Sequence, residues 1–227
     1  MTPISANLQA VKARIADAAR AAGRPADSIG LLAVSKTFGA AQVRECHAAG
    51  QRAFGENYVQ EALDKIALLG DCAIEWHMIG PLQSNKTRPI AEHFQWVHSV
   101  ERAKIALRLN ESRPADFPPL NICIQVNLSG EDSKSGIAPG AEIALAELIA
   151  GLPRLRLRGL MTIPEPISDT ALRRRRFARL REMAEGLIAH GYQLDTLSMG
   201  MSDDLEEAIA EGATMVRVGT AIFGRRS

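Results

Sequence analysis

The chain has 227 residues, 46% of them hydrophobic, and its Lys+Arg 27 against Asp+Glu 26 leaves a formal charge of +1. That length suits one full-sized core, within the range of a single α/β barrel, and would cramp two ordinary domains. The balanced charge provides no field to draw in nucleic acid or an acidic membrane. The three cysteines, Cys46, Cys72 and Cys123, are odd in number, far apart and without metal-ligand spacing. Buried thiols in a reducing cytosol fit them better than disulfides or zinc. With no basic-then-apolar leader and no apolar run of bilayer length, a soluble cytoplasmic protein is expected.

In chain order, Ile4, Leu8, Val11 and Ile15 fall at helical spacing and predict an opening helix, ended near Gly23 with Pro25 beyond. It precedes the first strand and should cover one end or flank of the fold. The first strand, Leu31 to Val34, runs through Ser35 into Lys36. A helix with Val43 and Cys46 follows, closed by Gly50. The second strand is Arg52–Asn57, and its helix carries Val59, Ala62, Leu63 and Ile66. The third strand is Ile74–Gly80, with a short Pro89-containing helix from Lys86 to His93. The fourth is Phe94–Val100, with a helix around Ile105 and Leu109.

After a proline loop, Leu120–Leu128 is the longest β run, and a polar loop from Ser129 to Gly136 separates it from a helix with Leu145 and Ile149. The sixth strand is Leu155–Ile163, before a long helix that ends at Gly191. The seventh is Leu194–Met199, with a helix ended at Gly212. The eighth is Met215–Thr220, with a short tail. Eight alternating strand–helix units without hairpin signals argue for a closed (β/α)8 TIM barrel with an extra N-terminal helix, in one domain over 1–227. An open doubly wound sheet is the alternative.

In such a barrel the strand C-termini share one rim, and active groups sit there. The polar residues at those ends are Lys36, Asn57, His77, Ser99, Asn127, Thr162 beside Met161, the run Ser198–Ser202, and Arg217 to Thr220. A lysine closing a buried strand is costly unless it is paired, functional or, as the bland alternative, snorkels to solvent, and an amine half withdrawn from water suits Schiff-base chemistry. The turn from Ser198 through Gly200 to Ser202, and the pair Gly219-Thr220, are candidate anion sites, because the loops after strands seven and eight commonly hold phosphate. A plain helix cap is the bland alternative for Ser202, and Asp203 and Asp204 oppose an anion unless they point outward. Arg217, between Val216 and Val218, needs an acceptor: a structural ion pair or a ligand heteroatom. The basic run Arg173–Arg176 lies on an amphipathic helix and reads as a solvated face.

Ala33-Val34-Ser35-Lys36-Thr37, Phe54-Gly55-Glu56-Asn57, Trp76-His77-Met78-Ile79-Gly80-Pro81, His98-Ser99-Val100, Ser133-Lys134-Ser135-Gly136, Gly159-Leu160-Met161, Ser198-Met199-Gly200-Met201-Ser202 and Arg217-Val218-Gly219-Thr220 together resemble the pyridoxal phosphate homeostasis proteins. The resemblance runs from about Ile29 to the end of the chain. It implies a barrel similar to the N-terminal domain of alanine racemase, with pyridoxal 5'-phosphate (PLP) on Lys36 as an internal aldimine. By the same resemblance Arg217 would face the pyridine nitrogen and keep it unprotonated. Ser202, Gly219 and Thr220 would hold the phosphate, Asn57 would line the cofactor, and Met161 and Ser198 would flank it. Lys134 matches a lysine linked to cofactor exchange. A non-catalytic monomeric carrier that buffers PLP and serves apo-enzymes in vitamin B6 and amino-acid homeostasis is implied. Small-amino-acid racemisation is the enzymatic alternative, and a class I aldolase a third class.

Overall fold

The computed structural model describes residues 3–130, 135–165 and 168–224. Helix α1 (Ile4–Ala21) leads into eight strands: β1 (Gly30–Val34), β2 (Ala53–Glu56), β3 (Glu75–Met78), β4 (Trp96–Val100), β5 (Leu120–Gln125), β6 (Leu155–Met161), β7 (Thr196–Ser198) and β8 (Met215–Val218). They pair in parallel and in chain order, and β8 closes on β1 in the register Gly30↔Met215 to Ala33↔Val218. Between them lie α2 (Ala40–Ala48), α3 (Val59–Leu68), α4 (Thr87–His93), α5 (Ala103–Ser112), α6 (Glu142–Ala150), α7 (Thr170–Ala189) and α8 (Leu205–Ala210), and α9 (Thr220–Phe223) follows β8. This is the expected closed barrel with its additional N-terminal helix; the open sheet is not formed.

Strand residues alternate between two environments, as a pleat requires. Ala33, Phe54, Trp76, Val97, Ile122, Leu160 and Val216 join the continuous apolar layer shared with the helices. Leu32, Val34 and Ile79 form one small separate cluster, and Trp96, Cys123 and Met161 another. These fill the lumen, and polar side chains divide them. Helix α1 covers a flank. Arg24 donates to the carbonyls of Ile209 and Ala213, Asn7 donates to that of Ile222, and Arg14 pairs with Glu206 of α8.

Three elements differ from the sequence expectation. Strand β5 stops at Gln125, where the chain returning at Ile137 joins it: the Gln125 carbonyl accepts the Ile137 N–H and the Asn127 N–H donates to the Ile137 carbonyl, both at 2.9 Å. Strand β7 is only Thr196–Ser198. The tail contains helix α9, begun at Gly219. Pro89 is tolerated as the third residue of α4, where a backbone N–H has no partner within the helix. Cys46 and Cys123 are buried, with thiols pushed up to about 12 by desolvation, but Cys72 is only partly covered.

Candidate functional site

Strand β1 ends in a turn held from beneath. The Ser35 hydroxyl donates to Glu56 Oε1 at 2.6 Å. The buried ammonium of Lys65, from α3, donates to the Ser35 carbonyl at 2.7 Å, Glu56 Oε1 at 2.7 Å and Glu61 Oε1 at 2.6 Å. That Glu61 oxygen also accepts the Thr37 N–H at 2.6 Å. Thr37 has φ 70, a left-handed conformation that a β-branched residue rarely adopts. Lys36 lies between these two anchored residues, partly buried at the barrel mouth. The β1–β2 register Val34↔Gly55, continued two residues, sets Lys36 beside Asn57. Asn57 Oδ1 is buried and has no hydrogen-bond partner among the described residues. A cleft of about 330 Å³, lined in part by Asn57, Ile79, Gln125 and Ile163, opens on the β2–β6 side of the mouth.

On the other side lie the turns after β7 and β8. Gly200 has φ 91, and a Cβ there would stand 2.5 Å from the Cβ of Ala208. Its carbonyl accepts the Arg217 N–H at 2.9 Å, which ties the turn to β8. Asp204 Oδ1 accepts the Met201 N–H at 2.5 Å, and burial raises the Asp204 carboxyl above its ordinary range. Asp203 is exposed. The cap position of α8 is Asp204, so Ser202 is no helix cap; its carbonyl accepts from Arg14 at 2.7 Å. Gly219 packs against β1, where a Cβ would meet the Val34 carbonyl at 3.1 Å. Its lack of a side chain therefore serves closure of the barrel beside the Lys36 turn. Thr220 is exposed at the start of α9.

Arg217, 3% exposed, points into the lumen. It donates to the Ser198 carbonyl at 2.6 Å, the Ser198 hydroxyl at 2.8 Å and the Thr162 carbonyl at 2.8 Å. Burial pushes the guanidinium down to about 10, and the Asp204 charge opposes that shift. Three of its five N–H groups are thus committed to the ends of β6 and β7, with two left over. Carbonyls and a hydroxyl, rather than the ion pair read from the sequence, anchor it, and the ligand alternative keeps the two N–H groups left over. Met161, the last residue of β6, is fully buried in the lumen.

The lumen continues downward as hydrogen bonds. Ser198 Oγ lies 2.9 Å from His98 Nδ1, His98 Nε2 lies 2.9 Å from His77 Nδ1, and His77 Nε2 lies 2.8 Å from Glu75 Oε1. Strands β4 and β7 are not neighbours, so the His98–Ser198 bond must cross the lumen. Burial lowers both imidazoles below their ordinary value, His98 furthest. Trp96 stacks on His77 at 5.3 Å.

Of the rim residues proposed from sequence, Lys36, Asn57, Ser202, Gly219 and Thr220 lie at the mouth. Met161, Ser198 and Arg217 form its floor. His77 lies deeper than the rim, Ser99 bonds the Gly80 carbonyl at 2.5 Å, and Asn127 accepts from Ser129. Lys134 lies outside the described residues. Sequence reasoning missed Glu75, His98, Lys65 and Arg14. For His98 and Lys65 the available signal was a charged or titratable residue at a core position.

The family model described as "Alanine racemase, N-terminal domain" matches residues 6–227. A pyridoxal phosphate homeostasis protein of Pseudomonas aeruginosa is 65% identical over 226 residues, covering 100% of this chain and 97% of that protein. The chain belongs to the pyridoxal phosphate homeostasis family. A solved structure of the Synechococcus elongatus family member PipY, with PLP bound, is 40% identical with a TM-score of 0.85 and covers 97% of this chain and 100% of that one. Alanine racemase of Corynebacterium glutamicum shares the fold, with a TM-score of 0.73 at 17% identity; the match covers 100% of this chain and 62% of the racemase.

Proposed function

We propose that this chain binds PLP reversibly through Lys36, buffers its free level and releases it to apo-enzymes, without turning over an amino acid. The observation that carries the reading is the Asn57 amide beside Lys36 at the mouth, buried and unpartnered at its Oδ1. Turned about its last bond the amide presents an NH2 donor to the ligand's acceptors, and a site built for a polar ligand leaves such a group unsatisfied until the ligand arrives. PLP would supply an aldehyde able to join an amine, a pyridine nitrogen that accepts a hydrogen bond, and a phosphate dianion. Lys36 provides the amine. Arg217 offers its two uncommitted N–H groups to a nitrogen acceptor from the floor. Ser202 and Thr220 provide hydroxyls on the β7–β8 side, where Asp203 is exposed to solvent.

Holding is favoured over turnover by the state of the bases. His77 and His98 each have both ring nitrogens in hydrogen bonds, so neither can accept a substrate proton at the mouth. Tyr58, next to Asn57, is 59% exposed. The protein as isolated should absorb in the visible, and borohydride should fix the cofactor on the Lys36 peptide. Lys36→Ala should be colourless; a Lys36→Ala variant with an unchanged spectrum would sink the proposal. Rapid solvent-deuterium exchange at an amino-acid α-carbon, abolished in Lys36→Ala, would favour the racemase alternative.

A further inference from the structure

The lumen chain has one permitted proton order, and it can be worked out from its far end. Glu75 sits at the start of β3, at the opposite end of the barrel from the mouth, with 48% of its side chain exposed. Its carboxyl is held below the ordinary range, chiefly by the bond from His77, so it is ionised at neutral pH and only accepts. His77 Nε2 therefore carries a proton. Because burial keeps that ring neutral, its Nδ1 accepts, and His98 Nε2 must donate to it. His98 is neutral for the same reason, so its Nδ1 accepts from the Ser198 hydroxyl. Ser198 Oγ then takes its remaining bond from Arg217, a residue that can only donate. Each link is fixed by the one before it, and the two ends agree without adjustment.

We propose that Glu75, His77 and His98 are positioning residues: a one-way hydrogen-bond chain through the barrel that aims Arg217 at the mouth and couples it to a carboxylate at the far end. The proposal rests on the PLP reading above only for its second arm. The chain spends the Ser198 proton on His98, so Ser198 offers the mouth no donor, and Arg217 is the floor's hydrogen-bond donor there. Successive bonds of one sense polarise one another, so the Glu75 charge is felt by the guanidinium despite the distance. The other charged groups near the chain are Arg158 of β6, which bears on Glu75 and stacks over Trp96 at 4.6 Å, and Asp204, which bears on Arg217. Cys123, with its thiol pushed up to about 12, stays neutral beside Arg217. Arg158 and Asp204 are both external to the sequence of bonds and reverse none of them.

The first arm needs no cofactor. Nitrogen-15 NMR of the intact protein should show both imidazoles as neutral Nε2–H tautomers from pH 6 to 8; an Nδ1–H tautomer or an imidazolium in either ring overturns the chain. The second arm uses PLP. His98→Gln can accept from Ser198 and donate to His77, and should hold PLP within about threefold of the parent, whereas His98→Leu strands the Ser198 hydroxyl and should weaken binding about tenfold or more. Equal affinities in these two variants would overturn the proposal. Glu75→Gln keeps an acceptor, remains at a half-exposed site and removes only charge; it should move the pH midpoint of the visible band down by a few tenths of a unit, the size of a partly screened distant charge. An unmoved midpoint refutes the coupling. If no visible band forms in the parent, the cofactor reading fails, and the tautomers alone decide the chain.

Discussion

Replacing Lys65 by Met removes the cation at the centre of the support beneath Lys36. Three acceptors lose their donor at once: the Ser35 carbonyl, Glu56 Oε1 and Glu61 Oε1. Glu61 is partly exposed and can be rehydrated, but the Glu56 side chain is 0% exposed. Its Oε2 already has no partner among the described residues, and Ser35 alone would remain on Oε1. Breaking a buried pair in this way costs about 3–5 kcal/mol, because a charge is left desolvated and unpaired. For a chain of this size that is roughly 6–20 °C in melting temperature. Burial raises the Glu56 carboxyl even with Lys65 present, and more so without it. A raised carboxyl makes the folded state bind more protons than the unfolded one, so its contribution to stability declines as pH rises from about 4.5 through the folded value. The Lys65→Met deficit should therefore shrink between pH 7 and pH 5, and Glu56→Gln added to Lys65→Met should recover part of it at pH 7. Urea unfolding of the four proteins of the cycle, followed by circular dichroism at both pH values, gives these numbers. A loss below about 1 kcal/mol, or a deficit independent of pH, would refute the assignment of Lys65 as the counter-charge of a buried carboxylate.

The same turn tests how Lys36 is aimed. Thr37→Gly should relieve a left-handed non-glycine residue, worth about 1 kcal/mol of stability, while loosening the lysine; thermal melts and PLP titration should move in opposite directions. Gly200→Ala should cost about 2 kcal/mol or more, since φ is 91 and the new methyl meets Ala208, and urea midpoints will show it. The buried histidines predict acid sensitivity. Unfolded, each titrates near 6.5; folded, each is lower, so the unfolded chain binds more protons below that pH. Their share of stability is intact above about 6.5 and should fall by up to about 1.4 kcal/mol per pH unit per histidine beneath it. Glu56 and Asp204, raised by burial, slope the other way and are present in both proteins, so the comparison is the slope between pH 6.5 and 5.5 in the parent against His98→Gln.

Much of this was legible in the residues. The apolar β runs and the helices between them, several ended by glycine, predict eight units, and the closed (β/α)8 order follows. Lys36 and Arg217 stood out because each is a cation where an apolar residue would be expected. Roles were harder to assign. Ser198 reads as a mouth hydroxyl, yet its proton is spent on His98, a residue 100 positions away. Gly219 reads as a ligand-approach glycine, yet its missing side chain admits the backbone of β1. For Ser202 a plain helix cap is the alternative to an anion site, and Asp204 occupies the cap position.

The sequence by itself determined the element order, the alternation of the strands and the identity of the lysine, because those depend on neighbours a few positions apart. Only the tertiary structure decided which polar groups meet inside the barrel. Closing the sheet turns one side chain from every second strand position into a common lumen, and a hydrogen bond across that space joins strands whose separation along the chain carries no periodic trace. For that reason Glu75 and His98 look like an ordinary surface acid and an ordinary core histidine until β8 is laid against β1.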